Sequence, residues 1–408
     1  MKFIYITAVL ALICPLQMAS AETLSLKVII DHAIKNSPET NRILNEVADL
    51  QSEAFDFETL ENPTAEINVK AIKDGDDSRT AEIEIEQPLK LSNFGSRGLY
   101  ADALRQTAEV EQKARMLELM HSVTRAYASY WVLQEQEKIL AANADYIRQK
   151  QKLIENAADE GLVDVTDANI FKAEALRLNE HLRVVRARKK SGGVNLLKMA
   201  GMEQRIFDTS RPKSPNIPNL NVLTELAGNE GGVTSLLEAR KALAERRYAV
   251  AAQDAGLSEF SPRAVIERDF DANNTTVMFG VGLSLPIWDR NNAEIARAKA
   301  ERRLALSNLN ALNEHSFVNV LAAAYEQAKA TQVSASTYKN QIVPSWQDVQ
   351  VLLDKKFENG QASILDLFQM RERVTDVHGE ALQAYLNSIE ARIELESLIG
   401  QSLFEIKE

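Results

Sequence analysis

Two aspartates offer the best placed charge for chemistry in this sequence. Asp167 and Asp366 lie 199 residues apart within similar passages, Glu160-Gly161-Leu162-Val163-Asp164-Val165-Thr166-Asp167 and Asn359-Gly360-Gln361-Ala362-Ser363-Ile364-Leu365-Asp366. Carboxylates repeated at equivalent places, once gathered by assembly, hold cations and repel one another. Their other reading is structural: each aspartate caps a helix near its N-terminus. Other chemistry is hard to find. There is no Gly-x-Ser-x-Gly, phosphate-binding loop or His-Glu-x-x-His, and Gly280-x-Gly282 lacks a third glycine. The histidines His32, His121, His181, His315 and His378 are scattered, so no metal-ligand spacing appears. No catalytic residue, metal site or cofactor is expected.

The elements that must position these aspartates are themselves repeated along the chain. Gly161 and Gly360, Asp167 and Asp366, and Gly201 and Gly400 are each separated by 199 residues. Gln87-Pro88-Leu89 and Leu285-Pro286-Ile287 form a further pair, displaced by 198. The chain is a tandem duplication. Each unit opens with period-two patterning. Ala65, Ile67, Val69 and Ala71, the turn Asp74-Gly75-Asp76-Asp77, and Ala81, Ile83 and Ile85 alternating with Glu82, Glu84 and Glu86 predict a hairpin. Ala264, Ile266 and Phe270, the turn Asp271-Ala272-Asn273-Asn274, and Val277 to Leu285 predict a second. Strands of about ten residues with one apolar and one polar or small face suit a tilted bilayer crossing around water. Four such strands cannot close alone, and open edges are not tolerated in lipid.

The period then changes to that of a helix. Leu119, Val123, Ala126, Tyr130, Leu133, Glu137, Leu140, Ala144 and Ile147 follow steps of four and three, with Glu137 the one polar member. After Asp366, Leu367, Met370, Val374, Val377, Ala381, Ala384, Ser388, Ala391, Leu395 and Leu398 mark one seam, and Leu382, Leu386, Ile389 and Ile393 a second. Two seams imply neighbours on both sides. No glycine or proline interrupts residues 99–160 or 287–343, which as helices would each be on the order of 90 Å long. Pro344 is expected to kink or end the last run.

Composition narrows the function. Of 408 residues, 47 are Lys or Arg and 58 Asp or Glu, a net charge of -11 that disfavours nucleic acid as a partner. Met1 and Lys2, the apolar run to Leu16 and Ala19-Ser20-Ala21 predict an export signal cleaved after Ala21. Ile13 before Cys14 disfavours lipid attachment, and Cys14 is the only cysteine. The cluster Arg183, Arg186, Arg188, Lys189 and Lys190 is read as a solvated helix face, with anionic lipid or a neighbouring subunit as its other use.

Together these passages resemble the TolC-like outer-membrane efflux channel family over essentially the whole mature chain. The resemblance rests on Leu24-Ser25-Leu26 with Asn36-Ser37-Pro38-Glu39, Gln87-Pro88-Leu89 with Gly95-Ser96-Arg97-Gly98, Leu285 to Ile295, and Phe357-Glu358-Asn359-Gly360 with Leu365-Asp366-Leu367. It implies a mainly α fold with a membrane β part: a homotrimer in which four strands per chain build one 12-stranded β-barrel and the helices a periplasmic α-barrel. The implied function is a passive outer-membrane duct for heavy-metal cations, with drug efflux, type I protein secretion or a soluble periplasmic coiled-coil scaffold as alternatives. Implied partners are a periplasmic adaptor, an inner-membrane pump of the RND type and outer-membrane lipid. By the same resemblance Gly161, Asp164, Gly360 and Ser363 lie at adaptor-contacting tips, and Asp366, Asp167 and Gln369 at the gate. Gln369 stands where better-known members have a second aspartate, and Ala362 where some have a gating arginine. The expected organisation is 1–21 signal peptide, 22–60 N-terminal helix, 61–90 first hairpin, 91–217 first helical unit, 218–260 linking helix, 261–287 second hairpin and 288–408 second helical unit.

Overall fold

A computed structural model describes residues 22–71, 79–161, 164–213, 215–228, 232–256, 259–285, 287–288, 290–312 and 314–403. The expected signal peptide and the turn Asp74 to Asp77 lie outside the described residues.

In the first unit a short strand, β1 (Glu22–Leu24), leads into helices α1 (Leu26–Asn36) and α2 (Pro38–Glu58). The single helix expected over 22–60 is therefore divided, because Pro38 cannot continue α1 and instead opens α2. Ser37 ends the first helix and caps the second, its Oγ accepting from Thr40 N–H at 2.9 Å. The hairpin β2 (Thr64–Ala71) and β3 (Arg79–Glu86) follows, then α3 (Ser96–Asp159) and α4 (Val165–Ala200). A strand β4 (Phe207–Thr209) pairs in parallel with β1. At 64 residues α3 is roughly 96 Å long.

In the second unit the expected linking helix is also two, α5 (Leu220–Gly228) and α6 (Val233–Gln253). The hairpin β5 (Glu259–Asp269) and β6 (Asn274–Ser284) precedes α7 (Asn292–Ala311), α8 (Glu314–Thr337), α9 (Val343–Glu358) and α10 (Ile364–Ile399). The duplication shows in the helices themselves: α4 and α10 each have 36 residues and begin 199 positions apart. The counterpart of α3 is interrupted twice, once within the stretch that lacks glycine and proline and once at the expected Pro344. Leu312 leaves helical geometry at φ -103° and ψ 48°, without a glycine or proline to announce it. Before Pro344 the helix widens into a π-turn over Tyr338–Ile342, in which Val343 N–H reaches back to Tyr338. Proline supplies no N–H to the carbonyl four residues earlier and crowds it, and the wider turn absorbs both effects.

The two hairpins join into one antiparallel sheet, ordered β2-β3-β5-β6, in which β3 pairs with β5 and leaves β2 and β6 as free edges. Register puts Ile67, Ile83, Ile266 and Val277 in one row and Asn68, Glu82, Glu267 and Thr276 in the next, on the opposite face. Gly280 admits the Arg263 side chain, whose Nε would lie 3.0 Å from any added Cβ.

No single core holds the helices. Separate clusters are strung along them, as expected of a thin wall. Both predicted seams of α10 are buried: Leu382, Ile389 and Ile393 meet Ala128, Trp131 and Val132 of α3, while Ala391 and Leu395 meet Phe317, Leu321 and Ala324 of α8. Glu137, the polar member of the α3 seam, is answered by Arg186 at 2.9 Å and Lys189 at 3.1 Å from α4. The basic cluster is thus partly interhelical and not wholly a solvated face. Burial pushes the Glu137 carboxyl up, but the two cations outweigh it and hold it below the usual range.

Among the described residues four glycines adopt left-handed backbone, Gly161, Gly201, Gly360 and Gly400. At Gly201 the φ is 68° and a Cβ would lie 2.4 Å from the Asn36 carbonyl oxygen; at Gly360 the φ is 71° and nothing lies within 4 Å. Gly201→Ala should therefore cost about 3 kcal/mol through strain and overlap, and Gly360→Ala about 1 kcal/mol through strain alone. Thermal unfolding in detergent should show the larger drop for Gly201→Ala. Equal drops would mean that the α1 contact with the α4 terminus contributes nothing.

Candidate functional site: the turn end of the paired helices

The turns after α3 and α9 share one construction. Each ends on a left-handed glycine, and the residue three beyond it caps the next helix. Asp164 accepts from Thr166 N–H at 2.6 Å, and Ser363 accepts from Asp366 N–H at 3.1 Å. After α9, Gln361 N–H also closes on the Lys356 carbonyl at 2.8 Å, a Schellman arrangement that frees no carbonyl for a further turn.

Asp366 does not stand free at the turn. Its Oδ2 accepts from Ser363 N–H at 2.9 Å and from the Ser363 hydroxyl at 2.7 Å, which completes a capping box. These bonds favour the ionised form and hold the Asp366 carboxyl below the usual carboxylate range; its stabilisation is full at neutral pH and lost as pH falls through that lowered value. The helix-cap reading is thus realised at Asp366. At the equivalent turn the cap is Asp164 rather than Asp167; Asp167 lies in the first turn of α4, and its side chain lies outside the described residues. Gln369 is exposed one turn beyond Asp366 on the same helix.

Just inside the turns lies a link that sequence reading missed. Tyr146 of α3 donates to Asp354 of α9 at 3.2 Å, and Arg371 of α10 donates to the other Asp354 oxygen at 3.3 Å. The Arg371 guanidinium also lies 3.3 Å from the Tyr146 ring centre, a cation–π contact. Burial and the Asp354 charge push the Tyr146 phenol up despite Arg371. Two further ties join the same helical pairs: Asn143 donates to Thr375, and Arg177 donates to Glu372 at 3.0 Å. Tyr146, Ile147, Phe171, Ile364 and Phe368 pack between them. The α3/α4 pair and the α9/α10 pair are therefore latched together near their turns. Signals for it existed singly, as an aromatic near the end of the α3 seam and an arginine after Asp366, but their partner lies 208 residues from Tyr146.

Farther up, His121 is packed and not solvated. It meets Glu396 at 3.0 Å and Ser397 at 3.3 Å, while Glu396 pairs with Arg392 at 3.4 Å and accepts from Leu403 N–H at 3.1 Å. Burial pushes the Arg392 guanidinium below its ordinary value. Among the described residues no group of three or more His, Cys, Asp or Glu side chains is arranged to hold a metal ion, and no helix is long and apolar enough to cross a membrane.

Residues 233–401 match the outer membrane efflux protein family. That match covers the second unit from α6 through α10. The cobalt-zinc-cadmium resistance protein CzcC of Cupriavidus metallidurans is 24% identical over 319 residues, 75% of each protein. Among solved structures, the outer membrane protein VceC of Vibrio cholerae has a TM-score of 0.73 at 15% identity, over 93% of this chain and 96% of that one. CusC, described in terms of transmembrane channel formation, has a TM-score of 0.73 at 14% identity over 92% of each. These structures share the fold over both units, whereas the family match lies in the second.

The latch is open to a double-mutant cycle. Tyr146→Phe and Asp354→Ala should each lower stability by about 1 kcal/mol or more in detergent, and together by clearly less than the sum, because both remove the same hydrogen bond. Strict additivity would show that the Tyr146 contact with Asp354 is not made in solution.

Proposed function

We propose that the chain is the outer-membrane duct of a tripartite efflux system, three copies closing one 12-stranded barrel and one periplasmic helical tunnel, and that it passes heavy-metal cations without catalysis. The observation that carries this reading is an inverted sheet. On β3 the glutamates Glu82, Glu84 and Glu86 are partly buried, while Ile83 and Ile85 between them are exposed. Across the same apolar face Ile67 is 69% and Phe279 83% exposed. A sheet in water hides its isoleucines; one that exposes them and shelters its polar face suits lipid on one side and water on the other.

The polar face argues for cations. It carries Glu66, Glu82, Glu84, Glu86 and Glu267 against Lys70 and Arg263, with Arg263 already 3.5 Å from Glu84. Three copies would give the lumen a strong negative field, which draws in and conducts cations. The likeness to a cobalt-zinc-cadmium resistance protein agrees with this cargo. A duct holds no energy source, so an inner-membrane pump of the RND type is the proposed motor and a periplasmic adaptor the proposed seal. The turns at Gly161, Asp164, Gly360 and Ser363 are the proposed adaptor contacts. The latch of Tyr146, Asp354 and Arg371, together with the ring of Asp366, Asp167 and Gln369, is the proposed gate. In that ring Asp366 acts twice, as a cap within its chain and as charge between chains.

Two measurements test this. Glu82→Gln with Glu84→Gln should shift the reversal potential in a potassium chloride gradient toward weaker cation selectivity, most at low salt where screening is least. An unchanged potential at low salt would remove the sheet from the selectivity pathway. Gly360→Trp should abolish efflux in cells while trimers still form; normal metal resistance in those cells would rule out this turn as an adaptor contact.

A further inference from the structure

Within this acidic chain one short stretch of α4 gathers positive charge: Arg183, Arg186, Arg188, Lys189 and Lys190. Arg186 and Lys189 bind Glu137, and Arg183 pairs with Glu180 at 2.7 Å. Arg188 and Lys190 are exposed and make no ion pair among the described residues. By helical spacing Arg183, Arg186 and Lys190 share one face of α4, and Arg188 lies on the other side. That face borders a groove between α3, α4 and the chain that follows α4. Arg186, Lys189, Lys190 and Arg205 line it against Glu137 and Asp208, so the groove is positive. Beside them Ile206 forms an apolar rim, 88% exposed. The groove opens on the side of the helices that carries α1, β1 and β4. In a tunnel this is the outer side, because the lumen must stay open.

We propose that this groove is a docking surface for the carboxylates of the cell-wall network, the anionic glycopeptide mesh through which a duct of this length has to pass. The inference rests on the duct reading above. Position and charge select the partner. From Ser96, beside the sheet, to Glu137 in the groove α3 rises roughly 60 Å, which puts the headgroups of a membrane around the sheet out of reach. The turns proposed to meet the adaptor lie roughly 30 Å farther on. A neighbouring copy is opposed by charge. The helices run from α4 through α3 and α10 to α8 and α9, so a neighbour would arrive by its α8 and α9. Trp131 meets Tyr385 and Asn143 meets Thr375, which sets Glu137 level with Glu380, and Glu380 accepts from Tyr338. Around Tyr338, from Gln327 to Val343, that edge holds Lys329 and Lys339 but no Asp or Glu. A positive groove at mid-height on the outer side, in a chain of net charge -11, complements an anionic polymer that surrounds the duct.

The protein in a nonionic detergent, mixed with purified peptidoglycan sacculi, should sediment with them at low salt and be released as salt rises. Arg183→Glu with Lys190→Glu should weaken this association about tenfold. Arg188→Glu, the same change of charge on the other side of α4, should leave it unaltered. Equal sedimentation of the double variant and the wild type overturns the proposal. So does an equal loss with Arg188→Glu, which would mean indiscriminate attraction, or binding that persists once the carboxylates of the sacculi are converted to amides. Competition by glycerol 3-phosphate at concentrations where a muramyl tripeptide has no effect would assign the groove to phosphate and overturn it as well. Conductance in planar bilayers, measured on the same preparations, keeps loss of binding apart from loss of fold: the double variant should conduct as the wild type does. A wild type that conducts but does not sediment with sacculi overturns the wall contact alone, and one that does not conduct overturns the duct reading and this inference with it.

Discussion

Two rows of unpaired backbone groups govern this molecule. β2 and β6 are the edge strands of the described sheet, each with one side unpaired by another strand, and one face of the sheet is apolar and exposed. In water that face would collapse onto a core; in lipid each unpaired group would cost several kcal/mol. Neither state is acceptable for one chain. In the proposed assembly, closure by further copies would remove both penalties, since each β2 would meet a neighbouring β6 and the apolar side chains would meet lipid. In the proposed trimer the strand count per chain, the acidic lining and the outward isoleucines all follow from that closure.

The helices obey a related constraint. In the proposed tunnel a wall one helix thick cannot gather its apolar residues into one core, which agrees with burial divided among small clusters and helices with neighbours on two sides. Hence α10 carries two seams and small residues such as Ala384, Ser388 and Ala391 between bulky ones. With so little area buried at any level, polar contacts must specify which helices pair. Glu137 draws α4 to α3, and Asp354 draws α9 to α3 and α10 through Tyr146 and Arg371. Such contacts suit a gate, because a few hydrogen bonds can be exchanged for others without exposing a large core.

Much of this was legible in the sequence because the relevant signals are local and repeated. The glycines at 161, 201, 360 and 400 mark helix ends through left-handed backbone, and period-two alternation revealed the four strands of the larger sheet but not β1 or β4. Ser363 and Asp366 have the spacing of a capping box, so the local role of Asp366 could be read, whereas its role between chains depends on assembly. What escaped notice was non-local. The latch joins residues more than 200 positions apart, and the pairing of His121 with Glu396 spans 275. The break at Leu312 carries no breaker residue; it lies where Leu312 and Phe317 turn into a cluster with α5 and α10, so packing set it and not propensity.

Closure of the edges can be tested covalently. With a cysteine pair introduced by scanning positions along β2 and β6, oxidation in outer membranes should convert the protein, for at least one register, into a species of three chains and no larger, dissociating to monomers on reduction. Monomers alone at every register, or a ladder running past three, would contradict closure by threefold assembly.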